Sequence, residues 1–255
     1  MRAIRAIAAN TFREAIRDRI LYLFVGFALA LVVSTKLFGM LTVGDEAKIV
    51  KDIGLAAIQF FSMLIAVMMS MLLVSREVDS RTVFIILAKP VRRWQFLVGK
   101  YLGLVAIVAA NLVFITLVLA VMVLAYTGQW DPMLFFAAAM TLLEMLVLAA
   151  FAILFAVLTR PILGSLMTLA VFVVGHTSAE LWLLTRQLPG TLTRGLVAVV
   201  YYLIPNLERF NFRTEVVHGL PIPAAAVGWA VVYAIAFAAV ALVLADLRFR
   251  SKDLR

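Results

Sequence analysis

Six long apolar segments alternate with shorter polar stretches along the chain. A helix needs about 20 mostly apolar residues to cross a hydrocarbon core of roughly 30 Å. Six segments meet this requirement, at about residues 20–41, 53–75, 101–126, 133–158, 162–184 and 224–247. Their apolar residues run continuously rather than alternating with polar ones, which favours helices over a transmembrane barrel. The pattern therefore predicts an all-α polytopic membrane protein with six transmembrane helices.

The composition excludes the soluble classes. Of 255 residues, 65% are hydrophobic and 15% are charged, and the mean hydropathy is +1.09. A soluble domain carries roughly 45–50% apolar and about 25% charged residues. A soluble enzyme and a disordered chain are both excluded, because one core cannot hide this much apolar surface and a disordered chain would not contain it. The absence of cysteine excludes disulfides and thiolate metal sites.

The basic residues predict the orientation. The net charge is +9, and sixteen of the 23 Lys and Arg residues lie in residues 1–19, 76–100, 248–255 or at Arg160. With six spans, all of these stretches face the same side, which the positive-inside rule makes the cytoplasm. We therefore expect a multi-pass protein of a bacterial or archaeal cytoplasmic membrane with both termini inside.

Residues 1–19 predict an amphipathic helix on the cytoplasmic membrane surface. Apolar residues recur there at helical spacing, and arginines occupy much of the remaining circumference. The residues that define this interfacial helix are Arg2, Arg5, Phe12, Arg13 and Arg17. A solvated basic leader is the alternative. The first span is expected to remain as an uncleaved anchor, because 19 residues precede it and no small-residue cleavage pattern follows it closely.

Two connections carry further signals. In residues 76–100, the apolar stretch 83–88 is too short to span, and Lys89 and Pro90 then end any helix. We expect a pair of short helices whose apolar face binds lipid or another protein; a loop that only holds two spans together is the alternative. Residues 185–223 form the long outer segment, in which the apolar stretch 196–205 reaches only about 15 Å as a helix. This predicts a re-entrant or surface-lying helix before the last span.

No catalytic motif accompanies these segments. The pair Gly99-Lys100 lacks the Ser or Thr and the earlier glycine of a phosphate-binding loop, and no HExxH, GxSxG or CxxC pattern occurs. The chain is therefore expected to have no catalytic or metal site and to bind no cofactor of its own. Its driving energy would come from an ion gradient or from another polypeptide.

Polar residues inside the predicted spans are candidates for a translocation path, because each ionisable one costs about 2.5–3.5 kcal/mol on insertion scales. They are Asn111, Glu144, His176 and Glu180. His176 and Glu180 are four residues apart and share a helix face. These side chains either line a polar path or serve only structure, with Glu144 hydrogen-bonded to a neighbouring helix and the other pair in a wet outer vestibule.

The connection before the third span resembles that of ABC-2 type transporter permeases. The matching motif is Glu77, Thr82, Leu87, Pro90, Arg92 or Arg93, and Gly99-Lys100. Residues 10–14 and 18–19 are similar to the N-terminal helix of the permeases of nitrous oxide reductase maturation and of gliding motility. Six spans and an outer helical segment before the last span also fit, so the resemblance covers essentially the whole chain.

The resemblance implies a permease subunit, most often of an exporter. Such a chain dimerises, and each copy docks on a separate ATPase subunit that holds ATP and Mg. Membrane lipid, and in some systems a periplasmic or accessory protein, complete the partners, with no nucleic acid among them. Carried onto this chain, the implied ATPase-coupling residues are Glu77, Arg81, Thr82, Leu87 and Pro90 at the ATPase groove, with Arg92 and Arg93 at its rim or against lipid.

Two other functions compete with this interpretation. An ion-coupled secondary transporter would use Glu144 as a proton carrier, although the two halves of the chain show no convincing internal repeat. A membrane scaffold would transport nothing. The largely apolar interior is compatible with lipid-like, peptide or small hydrophobic cargo.

The resemblance generates a test of the coupling segment. Glu77→Lys reverses a charge and Pro90→Gly releases the backbone, both within the matched motif. Each variant is expected to insert into the membrane but to lose most of its stimulation of a co-purified ATPase, measured as ATP hydrolysis in proteoliposomes. Full coupled activity in both variants would show that residues 76–100 do not couple.

Overall fold

The structure, a computed structural model, describes residues 2–39, 46–79, 92–178, 195, 201 and 203–251. The side chains of residues 36–39, 73–79 and 250–251 lie outside this description. Within it the chain is helical and contains no strand. The elements, in chain order, are α1 (Arg2–Arg17), α2 (Arg19–Gly39), α3 (Glu46–Asp79), α4 (Arg93–Thr127), α5 (Met133–Leu158), α6 (Pro161–His176), a 3₁₀ helix (Leu207–Phe210), α7 (Arg213–His218) and α8 (Ala224–Ser251).

Four helices of the described chain are long and apolar enough to cross a membrane. They are Glu46–Leu72, Arg93–Thr127, Met133–Leu158 and Ala224–Phe249. The other two predicted spans coincide with shorter apolar helices, Arg19–Thr35 and Pro161–His176. The all-helical fold with several apolar helices is confirmed, and the count of six spans stays a prediction.

Helix α5 is the centre of the bundle. It packs against α3, α4, α6, α8 and the 3₁₀ helix. Small side chains permit this close approach from several sides, and its buried alanines are Ala137, Ala138, Ala149, Ala150, Ala152 and Ala156. Helix α8 contacts α5 along a stripe of buried alanines at intervals of three or four residues, Ala230, Ala234, Ala238, Ala241 and Ala245. The opposite face of α8 is exposed and apolar, as expected for a helix that faces lipid.

Two glycines allow α1 to lie directly on α4. A Cβ atom on Gly103 would stand 2.6 Å from Thr11 Cβ and 2.7 Å from the carbonyl oxygen of Ala8. A Cβ atom on Gly99 would stand 2.7 Å from Ile7 Cβ. No side chain fits at these distances, so the spacing of the two glycines fixes where α1 docks. The glycine of the matched Gly-Lys pair therefore has a packing role.

Helix α3 begins at Glu46, seven residues before the predicted span, and ion pairs stabilise these additional turns. Lys51 pairs with Asp131 at 2.5 Å, and Asp52 pairs with Arg213 of α7 at 2.9 Å. These contacts give the polar first turns of α3 partners in the α4–α5 connection and in α7, so the helix begins at Glu46 rather than at residue 53. We name this side of the bundle the Asp131 end. The opposite side, where α4 begins and α8 finishes, is named the Arg93 end.

The described part of residues 76–100 belongs to two long helices. Residues 76–79 complete α3, and residues 93–100 form the first two turns of α4. Trp94 and Leu97 therefore lie on the long helix that continues to Thr127, not on a separate short helix. Leu97 is buried, so the expected apolar face is partly covered by the bundle itself. The helix break at Lys89 and Pro90 lies outside the described residues.

The glycine contacts predict a large cost for side chains at one position. Gly103→Leu is expected to lower the free energy of unfolding by about 1–3 kcal/mol, because the new side chain overpacks the α1–α4 contact. Gly228→Leu in α8 is the matched control, since nothing lies within 4 Å of its added Cβ. Leucine also favours the helix over glycine. Thermal unfolding in detergent compares the two variants; equal Tm values would contradict the proposed docking of α1.

Candidate functional site

A polar cluster joins three helices inside the bundle. Gln59 lies in the middle of α3, Glu144 in the middle of α5, and His176 is the last residue of α6. Each stands among apolar neighbours, so these polar side chains turn towards one another rather than towards lipid. The imidazole also packs against the ring of Phe172, one turn earlier on α6, with 4.5 Å between the ring centroids.

Hydrogen bonds fix the geometry of this cluster. Gln59 Nε2 donates to Glu144 Oε2 at 2.8 Å and contacts His176 Nε2 at 3.0 Å. His176 Nδ1 lies 3.1 Å from the carbonyl oxygen of Phe172, which only accepts, so we assign the ring proton to Nδ1. His176 Nε2 then accepts the second N–H of Gln59. Glu144 Oε1 lies 3.5 Å from the same Nε2 and has no hydrogen-bond partner among the described residues.

Glu144 is enclosed, whereas the other two members of the cluster, Gln59 and His176, are partly exposed. The side chain of Glu144 is 1% exposed and that of His176 is 20% exposed. Towards the Asp131 end lies a cavity of about 10 Å³, enough for one water molecule. Its polar lining comes from Gln59, Thr141, Asn211 and Arg213. Among the described residues, no three His, Cys, Asp or Glu side chains are placed to hold a metal ion.

The structure brings together two of the four predicted path residues. Glu144 and His176 meet, as described, whereas Asn111 is buried on α4 and neither polar atom of its side chain has a hydrogen-bond partner among the described residues. Glu180 lies outside the described residues. Gln59, the only amide in the predicted second span, is not among the predicted path residues. An amide carries no charge, so the insertion cost that marks ionisable residues does not single it out. In the structure it nevertheless links the two ionisable groups.

A second polar arrangement ties α4, α8 and α1 together at the Arg93 end. Arg93 donates from Nη1 to the carbonyl oxygen of Phe249 at 2.9 Å, and its guanidinium lies 5.8 Å from the Phe249 ring centroid. That ring stacks on Phe96 with 6.1 Å between centroids. Lys100, 2% exposed, lies over the Phe96 ring with Nζ 5.9 Å from its centroid, and pairs with Glu14 of α1 at 3.5 Å. We name these residues the Arg93 junction.

The predicted coupling residues are described only in part. Arg92 is exposed directly before α4, and its backbone N–H donates to Gln95 Oε1 at 3.1 Å. Glu77 lies on α3 and its side chain is outside the description. Arg81, Thr82, Leu87 and Pro90 lie outside the described residues. Their contact with an ATPase therefore stays a prediction.

Helix α1 has the two faces that its sequence predicts. Thr11 and Ala15 are buried and Phe12 is half-buried. The arginines all lie on the exposed remainder, namely Arg2, Arg5, Arg13 and Arg17. The apolar face packs on α4, and the placement of the basic face in a lipid headgroup region stays a prediction.

The comparison with known proteins supplies the family. The family model described as ABC-2 family transporter protein matches residues 5–254, nearly the whole chain. The chain belongs to the ABC-2 transporter family. A search of curated proteins found no match. Membership of this family, together with the long apolar helices, indicates that this ABC-2 protein is a multi-pass membrane subunit of a transporter.

The cluster predicts different effects for two amides of the ABC-2 protein, half-buried Gln59 and buried Asn111. Gln59→Leu removes the donor to Glu144 and His176, and is expected to lower the free energy of unfolding by about 1–3 kcal/mol. Asn111→Leu is the matched control, because this amide has no hydrogen bond to lose among the described residues. It should leave stability unchanged or raise it. Denaturation by SDS in mixed micelles measures both; an equal loss in the two variants would contradict the cluster.

Proposed function

We propose that the chain is the permease subunit of an ATP-driven ABC transporter, most simply an exporter. Membership of the ABC-2 family is the observation that carries this proposal. In the proposed complex, separate ATPase subunits bind ATP and Mg, and residues 76–100 of the permease dock on them. The permease itself performs no covalent chemistry.

The lengths of α3 and α4 support a coupling role for the residues between them. These helices contain 34 and 35 residues, so each is about 50 Å long. A hydrocarbon core is only roughly 30 Å thick. Helix α3 ends and α4 begins at the Arg93 end. Both helices are therefore long enough to extend beyond the membrane to the intervening segment, and as rigid helices they can transmit its movement into the bundle.

The Arg93 junction gives this force a path into the bundle. Arg93 joins the first turn of α4 to the last turns of α8, and Lys100 joins α4 to Glu14 of α1. A displacement of residues 80–92 therefore acts on α1, α4 and α8 together. We propose that ATP-driven closure of the ATPases shifts these helices between inward-open and outward-open or closed arrangements.

The finer features of the proposal come from the sequence. They are six spans, both termini in the cytoplasm, a cytoplasmic membrane location, and a dimer with two ATPase subunits. The similarity of residues 10–14 and 18–19 supports placement near the nitrous oxide reductase maturation and gliding-motility permeases. The buried Glu144 supports a second candidate, an ion-coupled secondary transporter that uses this carboxyl as its proton carrier.

Reconstitution into proteoliposomes separates these functions. A permease subunit is expected to stimulate ATP hydrolysis by its co-purified ATPase. Transport that follows a proton gradient without a partner would instead favour the secondary transporter, and the absence of both activities would favour a scaffold.

The Arg93 junction yields a variant for the same assay. Arg93→Gln removes the charge that joins α4 to α8, and is expected to reduce stimulated ATP hydrolysis several-fold while basal hydrolysis by the ATPase is unchanged. Arg160→Gln is the matched control, because Arg160 is exposed in the α5–α6 connection. Equal stimulation by the wild type and the Arg93 variant would show that force does not enter through the junction.

A further inference from the structure

We propose that Glu144 binds a proton on Oε1 and forms, with His176 and Gln59, a buried proton-binding site of this protein. The site is defined by the side chains of α3, α5 and α6, and it does not depend on the proposed coupling to an ATPase. The ligand is a single exchangeable proton. Its binding converts a buried carboxylate into a neutral acid, and no other bond forms or breaks.

The hydrogen-bond pattern leaves one atom without a donor. Gln59 supplies one N–H to Glu144 Oε2 and the other to His176 Nε2. The imidazole uses its own proton on Nδ1, which faces the carbonyl oxygen of Phe172 at 3.1 Å. Glu144 Oε1 is therefore left facing the accepting nitrogen of His176 at 3.5 Å. Two acceptors that face each other without a proton repel, and a proton on Oε1 turns this contact into an attraction.

The position of Glu144 gives the second argument. The residue has 0% exposure and lies in the middle of an apolar helix. No Lys or Arg pairs with it among the described residues, and the His176 Nε2 that faces it is assigned as the acceptor of a Gln59 N–H. A buried carboxylate without a cation is costly, and a group in such a place takes up a proton instead.

The surrounding charged groups do not supply the missing cation. Lys51, Asp52 and Arg213 are already paired with one another or with Asp131 at the Asp131 end. On the 3₁₀ helix, Glu208 is an acid and accepts a hydrogen bond from Asn211 Nδ2 at 2.9 Å. Arg209 lies over the ring of Tyr233 on α8, 5.0 Å from its centroid. On the remaining packed elements, Lys100 of α4 pairs with Glu14, and Glu215 and His218 belong to α7.

The small cavity gives this proton a route to the Asp131 end. Its polar lining residues are Gln59, Thr141, Asn211 and Arg213, and its volume of about 10 Å³ is enough for one water molecule. Gln59 is the member of the cluster that lines the cavity, so in the proposed site the Glu144 proton exchanges past this side chain with water held there. The Glu144 side chain itself is enclosed, with 0% exposure.

The two histidines of the chain make the site accessible to NMR spectroscopy. His218→Gln leaves His176 as the only imidazole. In the full-length protein in nanodiscs, with ¹⁵N-labelled histidine, the spectrum at neutral pH should show a neutral ring with its proton on Nδ1. A cationic ring, or a neutral ring with its proton on Nε2, would overturn the assignment.

Infrared spectroscopy tests the proton on Glu144 directly. The wild type is expected to show a neutral-carboxyl C=O band that shifts in D₂O and is lost in Glu144→Gln. Glu46→Gln is the matched control, because Glu46 is exposed and its exchange should leave the band in place. If the Glu144 variant does not fold, the wild-type band and the His176 spectrum decide the matter alone. No such band in the folded wild type would overturn the proposal.

A substitution in the cavity tests whether the proton reaches Glu144 from this side. Thr141→Leu places a larger apolar side chain in the cavity, and is expected to slow the D₂O shift of the Glu144 band. An unchanged exchange rate would overturn access through this cavity. None of these measurements involves ATP, so their failure is distinguishable from failure of the proposed transport function.

Discussion

The need to hydrogen-bond polar side chains within the protein, because lipid cannot do so, determines how this bundle is arranged. Lipid offers no hydrogen bonds, so polar side chains in the middle of a membrane helix are stabilised by partners on other helices. Helix α5 meets this demand for Glu144 because its alanines bring neighbours close on several sides at once. Gln59 and His176 arrive from two of those neighbours. The apolar packing and the polar cluster are thus one arrangement, in which small side chains set the distances that the hydrogen bonds need.

The sequence predicted those features that depend on one segment at a time. Continuous apolar runs gave the helices, and the amphipathic spacing of residues 1–19 gave a helix with its arginines on the exposed face. Contacts between distant segments were not predicted. Nothing local marks Gln59 as the donor to Glu144, or Gly99 and Gly103 as the positions on which α1 docks. The early start of α3 likewise depends on Asp131 and Arg213, far away in the chain.

Helix α3 connects the two polar regions of the molecule. It carries Gln59 of the cluster and ends at Asp79, two residues after Glu77, the first residue of the matched family motif. The twenty residues between these points span about 30 Å of helix. A shift of the α3 terminus along its axis would therefore be felt at the Gln59 amide. In the proposed permease, this places the cluster and the coupling segment on the same rigid element.

The alanine stripe on α8 has a mechanical consequence. Alanine has no side-chain rotamers, and a row of methyl groups makes a shallow surface with few projections that interlock. Helices that meet through such a surface can slide past one another by small steps without repacking large side chains, as in shear motions of packed helices. Contacts outside this stripe hold α8 at Phe249, through Arg93 and Phe96, and at Tyr233, which accepts from Asn206 N and lies beneath Arg209. The stretch between these two anchors is therefore the part of α8 best suited to small sliding movements against α5.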